Sequence, residues 1–114
     1  PTDEIPEGLY FPCSPDDIAT LLEFGLTAGD RKNVHLSRTI PNAMEAGHVH
    51  IHRPAILEVD TSRAIADGHT IYRAGKTVFL TDEVPGEYLY QVEPDDPVLL
   101  EIVAQWEQEE AEEE

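Results

Sequence analysis

Cysteine, lysine and long apolar runs are the features that this sequence has least of. It has one cysteine, Cys13, which cannot form a disulfide within the chain, so a disulfide-stapled secreted scaffold is excluded and a reducing compartment is favoured. No segment approaches the roughly 20 apolar residues of a membrane-spanning helix, and the first residues lack the basic and apolar regions of a signal peptide. We therefore expect a cytoplasmic protein without a membrane partner.

Positive charge is scarce as well. Lysine and arginine number 7 against 24 aspartates and glutamates, so the formal net charge is −17. Proteins bind nucleic acids largely through Lys and Arg side chains near the phosphates, so this excess of negative charge argues against general binding of RNA or DNA. Two explanations of the acidity stay open: adaptation to a salt-rich cytoplasm, where screening shortens self-repulsion, and an ordinary acidic protein with an acidic tail.

The length of 114 residues indicates one domain with a modest core. Residues 1–8, with two prolines and a glycine, predict an extended arm, and residues 9–106 a single domain. Six of the last eight residues are glutamates, so we expect residues 107–114 to form a solvated and frayed acidic tail.

Three helices are predicted from caps and periodicity. Residues 14–17 (Ser-Pro-Asp-Asp) are typical of a helix start, and Gly25 of its end. Thr39 and Pro41 indicate the start of a second helix. The apolar stripe of this helix includes residues 43, 44 and 47, and whether it extends to residue 50 or 51 stays open. The buried residues of the three helices are expected to be Ile18, Leu21 and Leu22, then Ala43, Met44 and Gly47, then Val98, Leu99, Ile102, Val103 and Trp106.

Short strands separate these helices. Ala74-Gly75 lies between two apolar segments and predicts a two-residue hairpin. The fold class is therefore α+β, with short helices and a small, mostly antiparallel sheet. The predicted strands are residues 9–11, 33–37, 55–60, 70–73, 76–81 and 87–92.

Three histidines alternate at His48, His50 and His52. On a strand they would share one face and could hold a metal ion such as zinc, whereas on a helix only His48 and His52 are neighbours. The helix start at Thr39 favours the second arrangement. We therefore predict no metal site and keep a histidine-cluster metal protein as an alternative.

The remaining candidates are a thiol and the scarce arginines. Cys13 precedes a helix start, a position that lowers the pKa of a thiol, but a buried structural cysteine is the interpretation that we prefer. There is no P-loop, GxGxxG or CxxC motif. Arg31 and Arg38 flank His35 on a short strand, which indicates either a phosphate or nucleotide site or arginines paired with surface acids.

Several segments together carry a resemblance to a known family. Residues 31–37 (RKNVHLS) and 80–89 (LTDEVPGEYL), with residues 9–10, 18–26, 57–60 and 66–68 in the same order, resemble the C-terminal lobe of the RNA 2′-phosphotransferase family. The resemblance implies an ADP-ribosyltransferase-like fold, a split antiparallel sheet with NAD in its cleft. It also implies an NAD-dependent transferase, which removes an internal 2′-phosphate from spliced RNA by passing it to NAD and releases nicotinamide.

The resemblance also assigns roles to residues. His35 would be the catalytic histidine that lines the NAD site, and His50 or Arg53 would lie near the incoming phosphate. The residues that would hold NAD or an ADP-ribose-like ligand are Tyr10, Phe11, Cys13, Gly25, Leu26, Arg31, Leu36 and Ser37.

Three departures from the family pattern bear on activity. The family's His-Gly-Thr is here Phe11-Pro12-Cys13, so a hydrogen-bonding side chain and a backbone donor are lost. The family's catalytic arginine falls on Val49 or His50, which leaves Arg53 as the nearest substitute. The family's N-terminal lobe has no counterpart in the sequence, and a separate chain that supplies this lobe is kept open as a partner. The chain is thus either an NAD-dependent transferase or a non-enzymatic module of the same fold that binds a nucleotide, an RNA end or a protein.

Overall fold

The structure is a computed structural model that describes residues 5–28 and 33–113, with side chains up to residue 112. In these ranges the chain forms a six-stranded antiparallel sheet, a two-stranded sheet and four α-helices. The strands are β1 (Gly8–Cys13), β2 (Leu26–Thr27), β3 (Val34–Ser37), β4 (Ala55–Asp60), β5 (Ile71–Arg73), β6 (Val78–Thr81), β7 (Glu83–Val84) and β8 (Leu89–Gln91). The helices are α1 (Ile18–Phe24), α2 (Ile40–His48), α3 (Thr61–Ala66) and α4 (Pro97–Glu113).

The large sheet has the strand order β5-β6-β3-β1-β4-β8, and β2 pairs with β7 in the small one. All pairings in both sheets are antiparallel. The predicted α+β class with an antiparallel sheet is therefore confirmed. None of the helices in the described ranges is long and apolar enough to cross a membrane.

The large sheet separates two apolar clusters, because side chains alternate along β1. Leu9 and Cys13 lie in the larger cluster, against which α1 packs its partly buried Ile18, Leu21 and Leu22. Tyr10 packs instead against the smaller cluster, whose buried members come from α2, β4 and α4: Ala43, Met44, Ile56 and Leu99. The helices α2 and α4 therefore cover one face of the sheet, and α1 the other.

The end of α1 follows the sequence prediction. Gly25 caps the helix with φ of 86°, in the left-handed region that favours glycine. A side chain at Gly25 would lie against the carbonyl oxygen of Val84, so the glycine also lets the chain approach β7 closely. The start differs slightly, because Pro15–Asp17 forms a 3₁₀ turn before α1, with the Ser14 side chain as its cap.

Several element boundaries differ from the sequence predictions. The stripe of α2 is confirmed at Ala43, Met44 and Gly47, but the helix ends at His48 and does not reach residues 50–51. The β5–β6 connection is four residues long rather than two, because Ala74 and Gly75 both donate backbone hydrogen bonds to Val78. Residues 86–88 form a 3₁₀ turn ahead of β8. Val98 is 40 % exposed, so it lies outside the buried stripe of α4.

The glutamate-rich end of the chain is helical. Residues 107–113, expected to be a frayed tail, continue α4 without a break. Their described side chains are exposed, as expected for a solvated acidic segment. Near its C-terminal end, α4 contacts the rest of the chain through Trp106, which stacks on His48 at the end of α2, and through Glu110, which pairs with Arg53 before β4.

Candidate functional site

The large sheet splits between β1 and β3. β1 pairs with β4 over its whole length, from Gly8 to Cys13, but pairs with β3 only where Tyr10 faces Ser37. Because proline has no backbone N–H, Pro12 prevents β1 from continuing an unbroken ladder with both neighbours. The two strands therefore separate after Tyr10, and a pocket opens between them.

The pocket has a volume of about 510 Å³. Five segments line it: β1, the end of β2 with the residue after it, β3 with the residue before it, the end of α2 with the following turn, and the first residue of β6. Cavities of roughly 300–1,000 Å³ are typical of sites for small molecules and cofactors. The lining residues are Phe11, Pro12, Thr27, Ala28, Asn33, Val34, His35, Leu36, Ser37, Ala46, Gly47, His50, Ile51 and Val78.

Two imidazoles and a serine hydroxyl line this pocket beside the polar residues Thr27 and Asn33. His35 and Ser37 lie two residues apart on β3, so they share one face of the strand, His35 exposed and Ser37 buried. His50 lies in the turn after α2, where its backbone N–H donates to the carbonyl of Gly47 at 3.0 Å. These imidazole and hydroxyl groups can donate hydrogen bonds to phosphate oxygens, and they can both donate to and accept from ribose hydroxyls. Phe11 adds an aromatic surface on which a base or nicotinamide ring could stack.

Gly47 sets the distance between α2 and β1. A side chain at this position would come within 2.6 Å of the Pro12 side chain and 3.0 Å of that of Pro54. The glycine therefore lets the end of α2 approach the split in the sheet. This close approach brings His50, three residues after Gly47, to the pocket.

Five of the residues assigned by resemblance lie together. Tyr10 does not line the pocket, because its side chain packs against the cluster on the other face of the sheet. Leu26 is buried in the larger cluster, next to Gly25 at the end of α1. Arg31 lies outside the residues that the structure describes. The five that line the pocket are Phe11, His35, Leu36, Ser37 and His50.

Cys13 is a core residue. It is only 5 % exposed and belongs to the larger apolar cluster. Burial, and to a smaller extent the charge of Asp17, raises the pKa of its thiol to about 11. The expectation of a lowered pKa at the helix start is therefore wrong, and the preferred interpretation of a buried structural cysteine is confirmed. Desolvation of the thiolate raises the pKa of Cys13 by more than the backbone N–H groups of the following three-residue turn could lower it.

Arg53 is turned toward α4. Its Nη2 donates to Oε1 of Glu110 at 2.6 Å, and its Nη1 donates to the backbone carbonyl of His52 at 3.0 Å. The guanidinium carbon lies 5.7 Å from the centre of the Trp106 ring. In this arrangement the arginine contacts the acidic helix and not the pocket.

The three alternating histidines point to different surroundings. His48 stacks on Trp106, His50 lines the pocket, and His52 Nε2 lies 3.8 Å from Oε2 of Glu110. Within the described part of the chain, no three His, Cys, Asp or Glu side chains are grouped closely enough to hold a metal ion. The metal-protein alternative thus has no site in that part.

A second pocket lies under α4 and is mostly apolar. Its volume is about 240 Å³, and it lies between α4, β4 and the chain after β8. Its lining includes Met44, Ile56, Val92, Leu99 and Val103. It has no histidine or arginine in its lining, so it offers little to a phosphate or a ribose.

Comparison with known proteins identifies the family. The family model described as "RNA 2'-phosphotransferase, Tpt1 / KptA family" matches residues 1–83. The chain belongs to the RNA 2′-phosphotransferase family. The resemblance found in the sequence is thereby confirmed.

Curated relatives agree with this assignment. A probable RNA 2′-phosphotransferase of Thermoplasma acidophilum is 38% identical over 101 residues, which cover 89% of this chain and 43% of that protein. That of Methanosarcina acetivorans is 36% identical, covering 75% of this chain and 41% of the relative. That of Acaryochloris marina is 33% identical, covering 77% and 48%. The chain spans less than half the length of these relatives.

The family match and the pocket coincide along the chain. Every residue that lines the larger pocket lies between Phe11 and Val78, inside the matched segment 1–83. The helix α4 lies beyond that segment. Sequence reasoning missed Thr27, Ala28 and Asn33 as lining residues, although Asn33 is part of the RKNVHLS segment that carried the resemblance.

Proposed function

We propose that this chain is the NAD-binding part of an RNA 2′-phosphotransferase-type protein and that NAD, or an ADP-ribose-like ligand, binds where β1 and β3 separate. The observation that carries the proposal is the convergence of His35, Ser37 and His50 on one pocket of about 510 Å³. The family membership supplies the chemical class of the ligand. A cytoplasmic protein with access to NAD and RNA agrees with the single unpaired Cys13.

The pocket residues fit such a ligand. The volume holds a nucleotide-sized group, and the lining combines apolar walls with a few convergent polar side chains. The Ser37 hydroxyl and the His35 imidazole are positioned to hydrogen-bond a ribose, and the Phe11 ring offers a stacking surface. His50, on the turn after α2, is the imidazole that we assign to an anionic acceptor.

In the transfer reaction, an RNA 2′-phosphate oxygen would bond to the anomeric carbon of the nicotinamide ribose while the C–N bond breaks and its electron pair leaves with nicotinamide. The chain's own contribution is positioning and charge. His35 and Ser37 hold the ribose from β3, while the His50 imidazole donates a hydrogen bond to the phosphate. Arg53, if it leaves Glu110, places positive charge near the same phosphate. The acceptor phosphate and a partner lobe that presents it are part of this proposal, since the acidic chain has few cations of its own for RNA.

A second candidate is a nucleotide-binding module of the same fold without turnover. Two observations favour it. Phe11 lines the pocket where the family resemblance expects a histidine, and Arg53, the substitute for the family's arginine, is held by Glu110. Each of these two differences removes a side chain that phosphate transfer would use from the site, while the pocket that would bind the nucleotide is retained.

Titration of the ¹⁵N-labelled protein with NAD, read by amide chemical shifts, tests the proposal. Buffer of high ionic strength is needed because the net charge of −17 repels an anionic ligand at low salt. We expect shifts at His35, Ser37 and Phe11 and none around Leu99 and Val103. Shifts with nicotinamide release would support the transferase, and shifts without release the binding module. No shifts at millimolar NAD would overturn both.

A further inference from the structure

Three side chains of one surface converge on Trp106 and Glu110 in the second half of α4. His48 stacks on Trp106 with ring centroids 3.9 Å apart, and the guanidinium of Arg53 lies over the same ring. Arg53 also donates to Glu110 at 2.6 Å, and His52 lies 3.8 Å from the second oxygen of that carboxylate. We call His48, His52 and Arg53 the basic cluster. It lies outside the larger pocket and contacts α4, a helix beyond the family-matched segment.

Glu110 is the anion that this cluster holds. The hydrogen bond from Arg53, followed by the charges of Arg53, His52 and His48, lowers the pKa of the Glu110 carboxyl. Three of the four basic side chains on residues 48–53, all except His50, therefore act on one carboxylate. A cationic fork with flanking imidazoles is the arrangement that also suits a phosphate group, which carries more charge and more acceptor oxygens than a carboxylate.

We propose that the basic cluster is a phosphate-binding site that the chain fills with its own Glu110, so that α4 acts as a built-in competitor for a phosphorylated ligand. The proposal shares Arg53 with the proposed function, which places this residue near the incoming phosphate. It goes further in naming Glu110 as the competitor and the cluster outside the NAD pocket as the site, and it does not require NAD to bind. A carboxylate on the same chain is present at high effective concentration, so a free phosphate must compete with it. Removal of the Glu110 charge is therefore expected to tighten phosphate binding at Arg53.

The chain offers a matched control for this effect. Glu112 is an exposed glutamate two residues further along the same helix. Because two residues correspond to about 200° of helical turn, it lies on nearly the opposite side of α4 from Glu110. Glu110→Gln and Glu112→Gln remove the same charge from the same helix, and only the first removes the contact with the basic cluster.

Titration with inorganic phosphate, followed through the indole N–H of Trp106 and the side-chain N–H groups of Arg53, provides the test. We expect Glu110→Gln to tighten binding about tenfold, in keeping with the loss of one competing charge-assisted hydrogen bond, and Glu112→Gln to change it less than about twofold. The double variant Glu110→Gln with Arg53→Gln should lose the gain. A 2′-phosphorylated ribodinucleotide and ADP then distinguish an RNA phosphate from a nucleotide phosphate as the source.

Two results would overturn the proposal. One is an equal effect of the two single variants, which would mean that only the overall charge of α4 matters. The other is no phosphate binding at the cluster in Glu110→Gln, with the fold intact by amide shifts. Because the readout is at Trp106 and Arg53, while NAD is read at His35 and Ser37, failure here and failure of the proposed function are separate observations.

Discussion

The imidazole of His48 stacks on the indole of Trp106, with ring centroids 3.9 Å apart and planes 17° from parallel. His48 ends α2 inside the family-matched segment, and Trp106 belongs to the helix beyond it. The contact therefore joins the family framework to the acidic C-terminal helix. It does so next to the turn that carries His50 to the rim of the pocket, so α4 supports one side of the candidate site.

His35 is expected to contribute directly to ligand binding. His35→Ala should weaken NAD binding about five- to tenfold, because it removes about 1 kcal/mol of hydrogen bonding from the pocket. The side chain is exposed, so folding should be unaffected. His69→Ala is the control, since the His69 ring packs edge-on against Tyr88, away from the pocket. Calorimetric titration with NAD measures both variants, and equal losses in the two would argue against a role for His35.

Phe11 is expected to limit activity. Phe11→His returns the residue that the family resemblance expects at this position and adds a hydrogen-bonding group to the pocket. We expect it to tighten NAD binding several-fold and to raise any nicotinamide release. Phe11→Leu, which removes the ring without adding a donor, should weaken binding. If the histidine and leucine variants behave alike in a nicotinamide-release assay, the phenylalanine is not what limits turnover.

Gly25 is expected to be essential for stability. Gly25→Ala forces a side chain into a position with φ of 86° and against the carbonyl of Val84, so it should lower the free energy of unfolding by about 2 kcal/mol or more. Gly75 has open space around it and no positive φ. Gly75→Ala should therefore be neutral or slightly stabilising. Urea unfolding at high salt compares the two, and similar destabilisation by both would contradict the role given to Gly25.

Cys13 is expected to react slowly. Its pKa of about 11, against an ordinary 9.0, leaves about 100-fold less thiolate near neutral pH, and burial blocks access to what remains. A disulfide reagent should modify the native protein far more slowly than the protein in denaturant. Fast modification of the native state would indicate that the strand carrying Cys13 opens readily.

The contact of Glu110 with Arg53 is expected to depend on pH. The folded-state pKa of Glu110 lies below its ordinary 4.5, so the stabilisation from this contact is complete above about pH 4.5 and is lost as the pH falls through the lowered value. Trp106 fluorescence should report the release of α4 in this acid range. Glu110→Gln removes the titrating group, and an unchanged acid transition in that variant would assign the transition to other carboxylates.

Local chemistry made most of the fold predictable. The Gly25 cap and the stripe of Ala43, Met44 and Gly47 were found from spacing alone, because helix ends and buried faces depend on neighbouring residues. The hairpin length at residues 74–77 and the 3₁₀ turn before β8 were not, since both depend on backbone hydrogen bonds that several turn types could satisfy.

The site was predicted only in part, because it depends on contacts between distant segments. The RKNVHLS segment was enough to select His35 and Ser37. The hydrogen bond between Arg53 and Glu110 joins residues 57 positions apart, so no local sequence pattern indicates it. The raised pKa of Cys13 depends on burial that adjacent residues do not reveal. The sequence therefore indicated several of the residues that line the pocket, but not the ion pair of Arg53 or the protonation behaviour of Cys13.

The central claim is that NAD binds where β1 and β3 separate, and intermolecular nuclear Overhauser effects between NAD and the labelled protein test it most directly. We expect NAD protons to contact the ring of Phe11 and the methyl groups of Val78, which line the larger pocket. Contacts with Val92 and Leu99 instead, in the smaller pocket under α4, would contradict the account.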